Sequence, residues 1–299
     1  MSVSQNIRSR SLPQPAVVLE LLKPVTWFPP MWAYMCGVVS SGVPLAERWE
    51  VFALGVLLAG PVVCGMSQAA NDWCDRHVDA INEPDRPIPS GRMPGRWGLW
   101  IALAMSGLAL LIALPLGPWG FGATVAAVAC AWAYSAEPVR LKRSGLWGPG
   151  LVGLCYEGLP WFTGAAVMAA GAPRWEVVMI AVLYAAGAHG IMTLNDFKAL
   201  QGDRETGVRS LPVVLGPARA ARLACWVMAV PQVAVIAALF AWGQPWHAAV
   251  VLVLVALQAL AMRRLLSDPK RLAPWYNATG VMLYVLGMLA AAIALGGMA

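Results

Sequence analysis

Three aspartates at positions 72, 75 and 79 follow directly on a strongly apolar run from Val51 to Ala70. A helix turns about 100° per residue, so this spacing places the three carboxylates on one face. Ionised carboxylates that close together repel one another and are stable only beside cations. Oxygen ligands of this kind suit Mg²⁺, which commonly binds through a few carboxylates, waters and substrate phosphates. We therefore predict a Mg²⁺ site at Asp72, Asp75 and Asp79, and the alternative is a solvated acidic helix end.

A second acidic stretch follows another apolar run further along the chain. Asp196 and Asp203 are seven residues apart and share a face if the helix continues that far. His189 lies seven residues before Asp196, on the same face. In both stretches an Asn immediately precedes the first Asp, at Asn71 and Asn195. This parallel indicates an internal repeat whose two acidic ends emerge on the same side of the protein.

Basic and amide side chains accompany both acidic stretches. A transporter of a simple cation would not need them, whereas a diphosphate explains both signs of charge. Mg²⁺ bridges carboxylate and phosphate oxygens, and Arg and Lys neutralise the remaining charge. A metal that stabilises a leaving diphosphate acts electrostatically and needs no nucleophile from the protein. The predicted diphosphate-binding residues are Asn71, Arg76, Arg140, Lys142, Asn195, Lys198 and Arg204.

The composition places these residues in a membrane protein. Of the 299 residues 59% are hydrophobic and 12% charged, and the mean hydropathy is +0.64; soluble domains have about 25% charged residues. Apolar runs of near-membrane length recur along the chain. We predict an all-α polytopic membrane protein, a single bundle of about nine transmembrane helices over residues 25–299, preceded by a cytoplasmic arm over residues 1–24. The predicted spans are 25–42, 51–71, 98–116, 119–136, 146–170, 176–195, 222–242, 245–263 and 277–297.

The distribution of Lys and Arg predicts the orientation. With nine spans, the N-terminus and the loops after spans 2, 4, 6 and 8 carry 19 of the 21 basic residues, and the other side carries Arg48 and Arg174. Positive charges collect on the cytoplasmic side of membrane proteins. The N-terminus and the mouth of the acidic site are therefore expected to be cytoplasmic. The pI near 9.2 follows from this topology and requires no nucleic-acid partner.

Both acidic motifs resemble those of a known family. NDWCDRHVD at 71–79 and NDFKALQGDR at 195–204 are similar to the two aspartate motifs of the UbiA-type intramembrane prenyltransferase superfamily, and the resemblance covers nearly the whole chain. Within the superfamily the chain resembles the chlorophyll synthase branch, and most of all the bacteriochlorophyll synthases of purple bacteria. The segments that carry this narrower resemblance are 27–42, 71–92, 134–145, 195–216 and 276–284.

The resemblance implies roles for individual residues. The five aspartates would bind Mg²⁺ in catalysis, with two ions bridging the diphosphate. Ala199 and Gln201 stand where many relatives outside the chlorophyll branch carry Asp and Glu, which leaves fewer ligands for the second ion. Glu157 lies inside an apolar run, where a charged carboxylate costs about 2.5–3.5 kcal/mol. The candidates for an acceptor pocket are Trp27, Tyr134, Glu157 and His189.

The resemblance also implies the reaction. The 17-propionate of a bacteriochlorophyllide would attack C1 of geranylgeranyl or phytyl diphosphate and release diphosphate, as a late step of bacteriochlorophyll biosynthesis for photosynthesis. A carboxylate is already ionised at neutral pH and needs no strong general base. The expected partners are these two substrates, the lipid bilayer and pigment-assembly membrane proteins. The expected location is a bacterial cytoplasmic or intracytoplasmic membrane.

Three alternatives stay open on the residues alone. A quinone- or haem-pathway prenyltransferase would alkylate an aromatic ring with the same metal site. A cation-coupled transporter would place its carboxylates near the membrane midplane, in broken helices of two matching halves, whereas these aspartates lie at predicted cytoplasmic ends. A structural membrane partner of a pigment complex would leave both motifs without a role.

Overall fold

The regular elements of the chain are helices, as a computed structural model that describes residues 12–299 shows. Residues 1–11 of the predicted N-terminal arm lie outside the described residues, and the rest of the arm contains a short helix. The helices are α1 Pro15–Leu22, α2 Phe28–Ser40, α3 Trp49–Leu57, α4 Gly65–Asn82, α5 Trp97–Ala113, α6 Gly117–Ser135, α7 Trp147–Gly153, α8 Leu159–Ala169, α9 Trp175–Asn195, α10 Leu200–Thr206, α11 Leu211–Leu215, α12 Pro217–Ala241, α13 Pro245–Leu265 and α14 Pro269–Gly296.

Proline and glycine mark many of the boundaries. Pro217, Pro245 and Pro269 each begin a long helix, where a missing N–H costs no hydrogen bond and the fixed φ already suits the helix. Gly117, with φ +76°, turns the chain between α5 and α6. Ser90 and Gly91 lie in the proline-rich loop after α4, and their backbone N–H groups donate hydrogen bonds to Arg86 O and Ile88 O.

Among residues 12–299, six continuous helical segments are long and apolar enough to cross a membrane. One of them, 97–135, contains the α5–α6 turn and corresponds to the two predicted spans 98–116 and 119–136. The predicted span 25–42 corresponds to the 13-residue helix α2, and 146–170 corresponds to α7 and α8. The architecture is thus a multi-helix membrane bundle, while the count of nine spans and the side of the N-terminus stay predictions. The six segments are 49–82, 97–135, 175–206, 217–241, 245–265 and 269–296.

Two helices are widened by a π turn. Residues Leu58–Cys64 join α3 to α4 and include Pro61, which cannot donate to the preceding turn. Residues Leu154–Gly158 join α7 to α8. Single π turns inside α-helices are frequent at functional sites. Here both turns contribute side chains to the same internal cavity, described below.

The core of the bundle is built from close helix contacts and stacked aromatic rings. Gly37 of α2 faces the Trp161 backbone, and Gly164 of α8 faces the Tyr34 backbone, so closely that a Cβ would clash at either position. Small residues of this kind allow membrane helices to approach each other. Beside this contact the Trp161 and Tyr184 rings stack at 5.7 Å between centroids. This rigid centre holds α2, α8 and α9 in place around the cavity.

Candidate active site

Helix α4 presents the first motif as the spacing predicted. Asp72 is 1% exposed and Asp79 is 6% exposed, while Asp75 is half-buried. The helix runs without interruption from Gly65 to Asn82, so the three carboxylates share one face. Ionised groups buried to this degree require partners.

Two cations hold Asp72 and Asp79. The Nζ of Lys23 donates to Asp72 Oδ1 at 2.6 Å. Arg86 Nη1 donates to Asp79 Oδ2 at 2.8 Å and lies 3.6 Å from Asp72 Oδ1. Neither cation was predicted to belong to the site. Lys23 is 49 residues away in sequence, and no pattern links it to the motif, whereas Arg86 could have been suspected because it lies in the ordered loop that follows the aspartates.

The loop between α6 and α7 supplies the partners of Asp75. Arg140 Nη2 donates to Asp75 Oδ1 at 2.9 Å, and the Lys142 ammonium contacts the same carboxylate. Burial lowers the pKa of Lys142, and the neighbouring Asp75 partly opposes that effect. Arg140 and Lys142 were both predicted for the diphosphate site, and the structure places both beside the first motif.

Two of these cations are held by a strained backbone. Lys23 has a φ of +47° and Arg140 a φ of +36°. Within residues 12–299 the only other non-glycine residue with positive φ is Ala170. Left-handed conformations cost a non-glycine residue roughly 1–2 kcal/mol, and such strain clusters at functional sites. The backbone strain at Lys23 and Arg140 is thus located where one cation contacts Asp72 and another contacts Asp75.

The second motif spans the end of α9 and the short helix α10. Asn195 is the last residue of α9, Asp196 begins a 3₁₀ turn over Asp196–Ala199, and Asp203 lies in α10. Asn195 Oδ1 accepts a 2.6 Å hydrogen bond from Asn277 Nδ2 of α14. Asp196 and Asp203 are half-buried, and neither forms an ion pair within the part of the chain described. Their carboxyl oxygens are therefore available to a cation from outside the protein.

The two motifs meet at one end of the bundle. A Cβ added at Gly202 of α10 would lie 3.4 Å from Asn82 Nδ2 at the end of α4. The basic loop is tied to the same region, because Gly145 N donates to Arg209 O at 2.9 Å and Arg209 N donates to Arg143 O at 3.1 Å. First motif, second motif and basic loop therefore form one continuous surface.

An internal cavity of about 610 Å³ opens between the motifs. Asn71 of the first motif and Asn195 and Lys198 of the second line it, and most of the remaining wall is apolar. Tyr134 and Glu157, predicted for an acceptor pocket, also line this cavity. Such a shape, polar at one end and apolar along its body, suits a molecule with a charged head and a long hydrocarbon tail.

Four further predicted residues also lie outside the cavity wall, as do the five aspartates, Arg140 and Lys142. Arg76 stacks on the Trp73 ring, with its guanidinium carbon 4.3 Å from the ring centroid, and donates to the Trp73 carbonyl. The Trp27 indole donates to Leu22 O at 2.8 Å. His189 Nε2 bonds Leu146 O at 3.1 Å. These three side chains do not contribute to the cavity wall, and Arg204 is exposed.

The donor set fits Mg²⁺ bound together with an anion. Within residues 12–299 no group of three or more His, Cys, Asp and Glu side chains is arranged to hold a metal by itself. Asp72 Oδ2, however, is fully buried without a hydrogen-bond partner in that region, and Asp196 and Asp203 have no cation. Mg²⁺ is usually held by one or two carboxylates together with substrate phosphates, which agrees with this incomplete protein shell.

Comparisons with known proteins identify the family of the chain. A sequence model described as the UbiA prenyltransferase family matches residues 26–287. The chain is 65% identical over 298 residues to the bacteriochlorophyll synthase 33 kDa chain of Cereibacter sphaeroides, covering 100% of this chain and 99% of that one. It is 63% identical over 291 residues to the protein of the same description from Rhodobacter capsulatus, covering 96% of each.

The fold is also found among solved structures. A UbiA homolog from Archaeoglobus fulgidus, bound to GPP and Mg²⁺, superposes with a TM-score of 0.72. The match covers 91% of this chain and 99% of that chain at 19% identity. At this identity the similarity shows a shared fold.

Proposed function

The chain belongs to the UbiA prenyltransferase family, and from that premise we propose that it esterifies a bacteriochlorophyllide with a prenyl group. In the proposed reaction a carboxylate oxygen of the 17-propionate forms a bond to C1 of geranylgeranyl or phytyl diphosphate. The bond between C1 and the diphosphate oxygen breaks, and diphosphate leaves with the electron pair. The observation that carries the proposal is the 65% identity to a bacteriochlorophyll synthase chain over the whole length.

The first motif and the basic loop would bind the diphosphate. Asp72, Asp75 and Asp79, with Asp196 and Asp203 opposite, would hold Mg²⁺, two ions in the full complex. When bound, Mg²⁺ would neutralise the charge that develops on the leaving diphosphate. The proposed roles of all five aspartates rest on their burial, on their charge and on the meeting of the two motifs.

The cations of the site would neutralise negative charge both in the free protein and in the complex with diphosphate. Arg140 and Lys142 contact Asp75, and Lys23 and Arg86 contact Asp72. When phosphate oxygens and metal enter, these four side chains are placed to turn from carboxylate to phosphate. Charge-assisted hydrogen bonds of this kind are short and strong. Lys198, which lines the cavity from the second motif, is proposed to contact the diphosphate from the opposite side.

The apolar body of the cavity would hold the prenyl chain next to the site of ionisation. Burial of a hydrocarbon chain contributes about 0.8 kcal/mol per CH₂ group, which favours long prenyl donors. Exclusion of water from the same cavity would protect an allylic carbocation from hydrolysis. The acceptor carboxylate is already negative and is drawn to the positive charge at C1, so no general base is assigned.

The proposed setting is a bacterial cytoplasmic or intracytoplasmic membrane. The charge bias supports nine spans, with the N-terminus and the mouth of the site on the cytoplasmic side. Both substrates are amphiphilic and would reach the cavity at the membrane surface. Membrane proteins that assemble pigment complexes are the proposed recipients of the ester.

The experiment for this proposal uses membranes in which this chain is the only added factor. They are incubated with Mg²⁺, geranylgeranyl diphosphate and bacteriochlorophyllide. The pigments are then separated by chromatography, and their masses are measured by mass spectrometry. A new pigment heavier by one geranylgeranyl group, and missing when EDTA is added, supports the proposal. If no pigment ester forms and a quinone precursor is prenylated instead, bacteriochlorophyllide is not the acceptor.

A further inference from the structure

Glu157 is a buried acid without a partner in the cavity wall. It lies in the π turn between α7 and α8 and is 5% exposed. Its Oε2 is fully buried and has no hydrogen-bond partner among residues 12–299. Much of the cavity wall is apolar and includes Ala188, Ile191 and Val285.

Several other polar groups of the cavity are already paired. Gln68 Nε2 donates to the Tyr156 hydroxyl at 3.1 Å, and Asn277 Nδ2 donates to Asn195 Oδ1. The Oδ1 of Asn277 has no partner in the described part of the chain, but an amide oxygen only accepts hydrogen bonds. Glu157 is thus a buried group of the wall without a partner among residues 12–299, and as a neutral acid it can donate a hydrogen bond to a ligand.

The environment decides the protonation state of Glu157. An ionised carboxylate without a counter-charge is very unfavourable in an apolar interior, so the neutral acid is the stable form. A protonated carboxyl group offers one O–H donor and retains acceptor capacity. A buried donor with no acceptor costs free energy, and a ligand that supplies a carbonyl oxygen removes this cost.

The depth of Glu157 separates it from the diphosphate chemistry. Gly148, near the start of α7, packs against the Lys142 backbone at the mouth of the site. Glu157 follows nine residues later, which corresponds to about 13 Å along the helix. A group at this depth faces the body of a bound substrate, not its reacting carboxylate.

We propose that Glu157 donates a hydrogen bond to a peripheral carbonyl oxygen of the tetrapyrrole acceptor and thereby selects carbonyl-bearing pigments. This inference rests on the proposed function, because it assumes a tetrapyrrole in the cavity. A prenyl chain has no acceptor atom and would leave the Glu157 O–H unsatisfied. The macrocycle of bacteriochlorophyllide carries an acetyl group and a ring ketone, and either would satisfy it.

The test compares acceptors that differ in a single substituent. One pair of chlorins carries acetyl or vinyl at C3, and a second pair carries the ring ketone or a methylene in its place. The kcat/KM for ester formation is measured for wild type, Glu157→Gln and Glu157→Leu. Wild type is expected to prefer the carbonyl member of one pair by about tenfold, the value of one hydrogen bond.

The two variants separate hydrogen bonding from shape. Glu157→Gln retains a donor and is expected to keep the preference. Glu157→Leu is expected to lose about tenfold on the carbonyl acceptor and to retain activity on its hydrocarbon counterpart, which also shows that the variant is folded. Thr163→Val, six residues further along and outside the cavity wall, is the control for removal of a buried polar group and is expected to behave as wild type.

Three results would overturn the inference. The first is a wild-type enzyme without a preference in either pair. The second is a Glu157→Leu variant that loses the same factor on all four acceptors. The third is an effect confined to the KM of the prenyl diphosphate, which would place Glu157 beside the hydrocarbon chain. If wild type forms no ester with any acceptor, the proposed function fails, and this inference fails with it.

Discussion

Lys23 Nζ lies 2.6 Å from Oδ1 of Asp72, a carboxylate that is 1% exposed. The contact joins the end of α1 to the first aspartate of the first motif. The segment before the first predicted span therefore contacts the proposed site. Asp72 has a second cation, Arg86, at the longer distance of 3.6 Å.

Replacement of Lys23 by Met is therefore expected to weaken diphosphate binding. The site loses one positive charge, and the buried Asp72 keeps only the longer contact to Arg86. We expect the KM for prenyl diphosphate to rise about tenfold, the value of one charge-assisted hydrogen bond. Lys270→Met, which removes an exposed lysine outside the site, is the control. Equal effects of the two variants would argue against a role for Lys23.

Replacement of Asp72 or Asp196 by Asn tests the metal site. Each change removes a negative charge and keeps the shape of the side chain. We therefore expect weaker binding of Mg²⁺ and a lower kcat. We expect kcat/KM to fall by at least about 100-fold in each variant, as for other electrostatic groups at reacting centres. The matched control is Asp85→Asn, an exposed aspartate in the loop after α4. A turnover near that of wild type in Asp196→Asn would contradict a role of the second motif in the proposed site.

The pH dependence of kcat/KM is expected to report on Lys142. Burial lowers the pKa of its ammonium group, and only the protonated form attracts phosphate. Activity should therefore decline on the alkaline side at a lower pH than the titration of an exposed lysine, since kcat/KM follows groups of the free enzyme. Lys142→Arg keeps its charge at high pH and should move this decline upward. An unchanged alkaline limb in Lys142→Arg would assign the decline to another group.

Gly145 is expected to be essential for the connection between the basic loop and the second motif. A Cβ there would lie 2.6 Å from Leu211 N and 2.7 Å from Arg209 O. Gly145→Ala must therefore displace the backbone and weaken the 2.9 Å hydrogen bond to Arg209 O. Crowding of this kind costs roughly 1–3 kcal/mol, which thermal unfolding in detergent can measure. Gly107→Ala, where a Cβ meets nothing within 4 Å, should leave the unfolding midpoint unchanged or slightly raised.

A buried amide pair is expected to fix α12 against α13. The Gln232 and Gln258 side chains exchange two hydrogen bonds of 3.1 and 3.0 Å, and each residue is 1% exposed. Gln232→Leu alone leaves Gln258 without a partner and should lower the free energy of unfolding by about 1 kcal/mol. The double replacement by Leu should recover much of this loss. Equal losses in the single and double variants would show that the pair does not couple the helices.

The spacing of residues was enough to predict the faces of the acidic helices. Asp72 and Asp79 lie together on α4 because a continuous helix maintains its periodicity over two turns. Pairing between distant segments was harder to predict, since Lys23 reaches Asp72 only through the packing of α1 against α4. Arg140 and Lys142 were predicted from the basic charge that a diphosphate requires, and the structure places both beside Asp75.

Local contacts determine the orientation of two predicted side chains. Arg76 is close to the aspartates on the helical wheel, yet its guanidinium stacks on Trp73, an attractive contact available within one turn. His189 bonds the Leu146 carbonyl at the start of α7, so a neighbouring helix decides its orientation. Glu157 was suspected from its depth in an apolar run, but only the structure shows that it lines the cavity without a partner.

The most direct test of the central claim follows the oxygen atoms of the acceptor. Bacteriochlorophyllide labelled with ¹⁸O in both oxygens of the 17-propionate is incubated with the protein, Mg²⁺ and geranylgeranyl diphosphate. If the propionate attacks C1 of the prenyl diphosphate, the ester retains both labelled oxygens and the released diphosphate contains none. Loss of one label from the ester, or its appearance in diphosphate, would contradict the proposed bond cleavage. Absence of any prenyl ester would contradict the function itself.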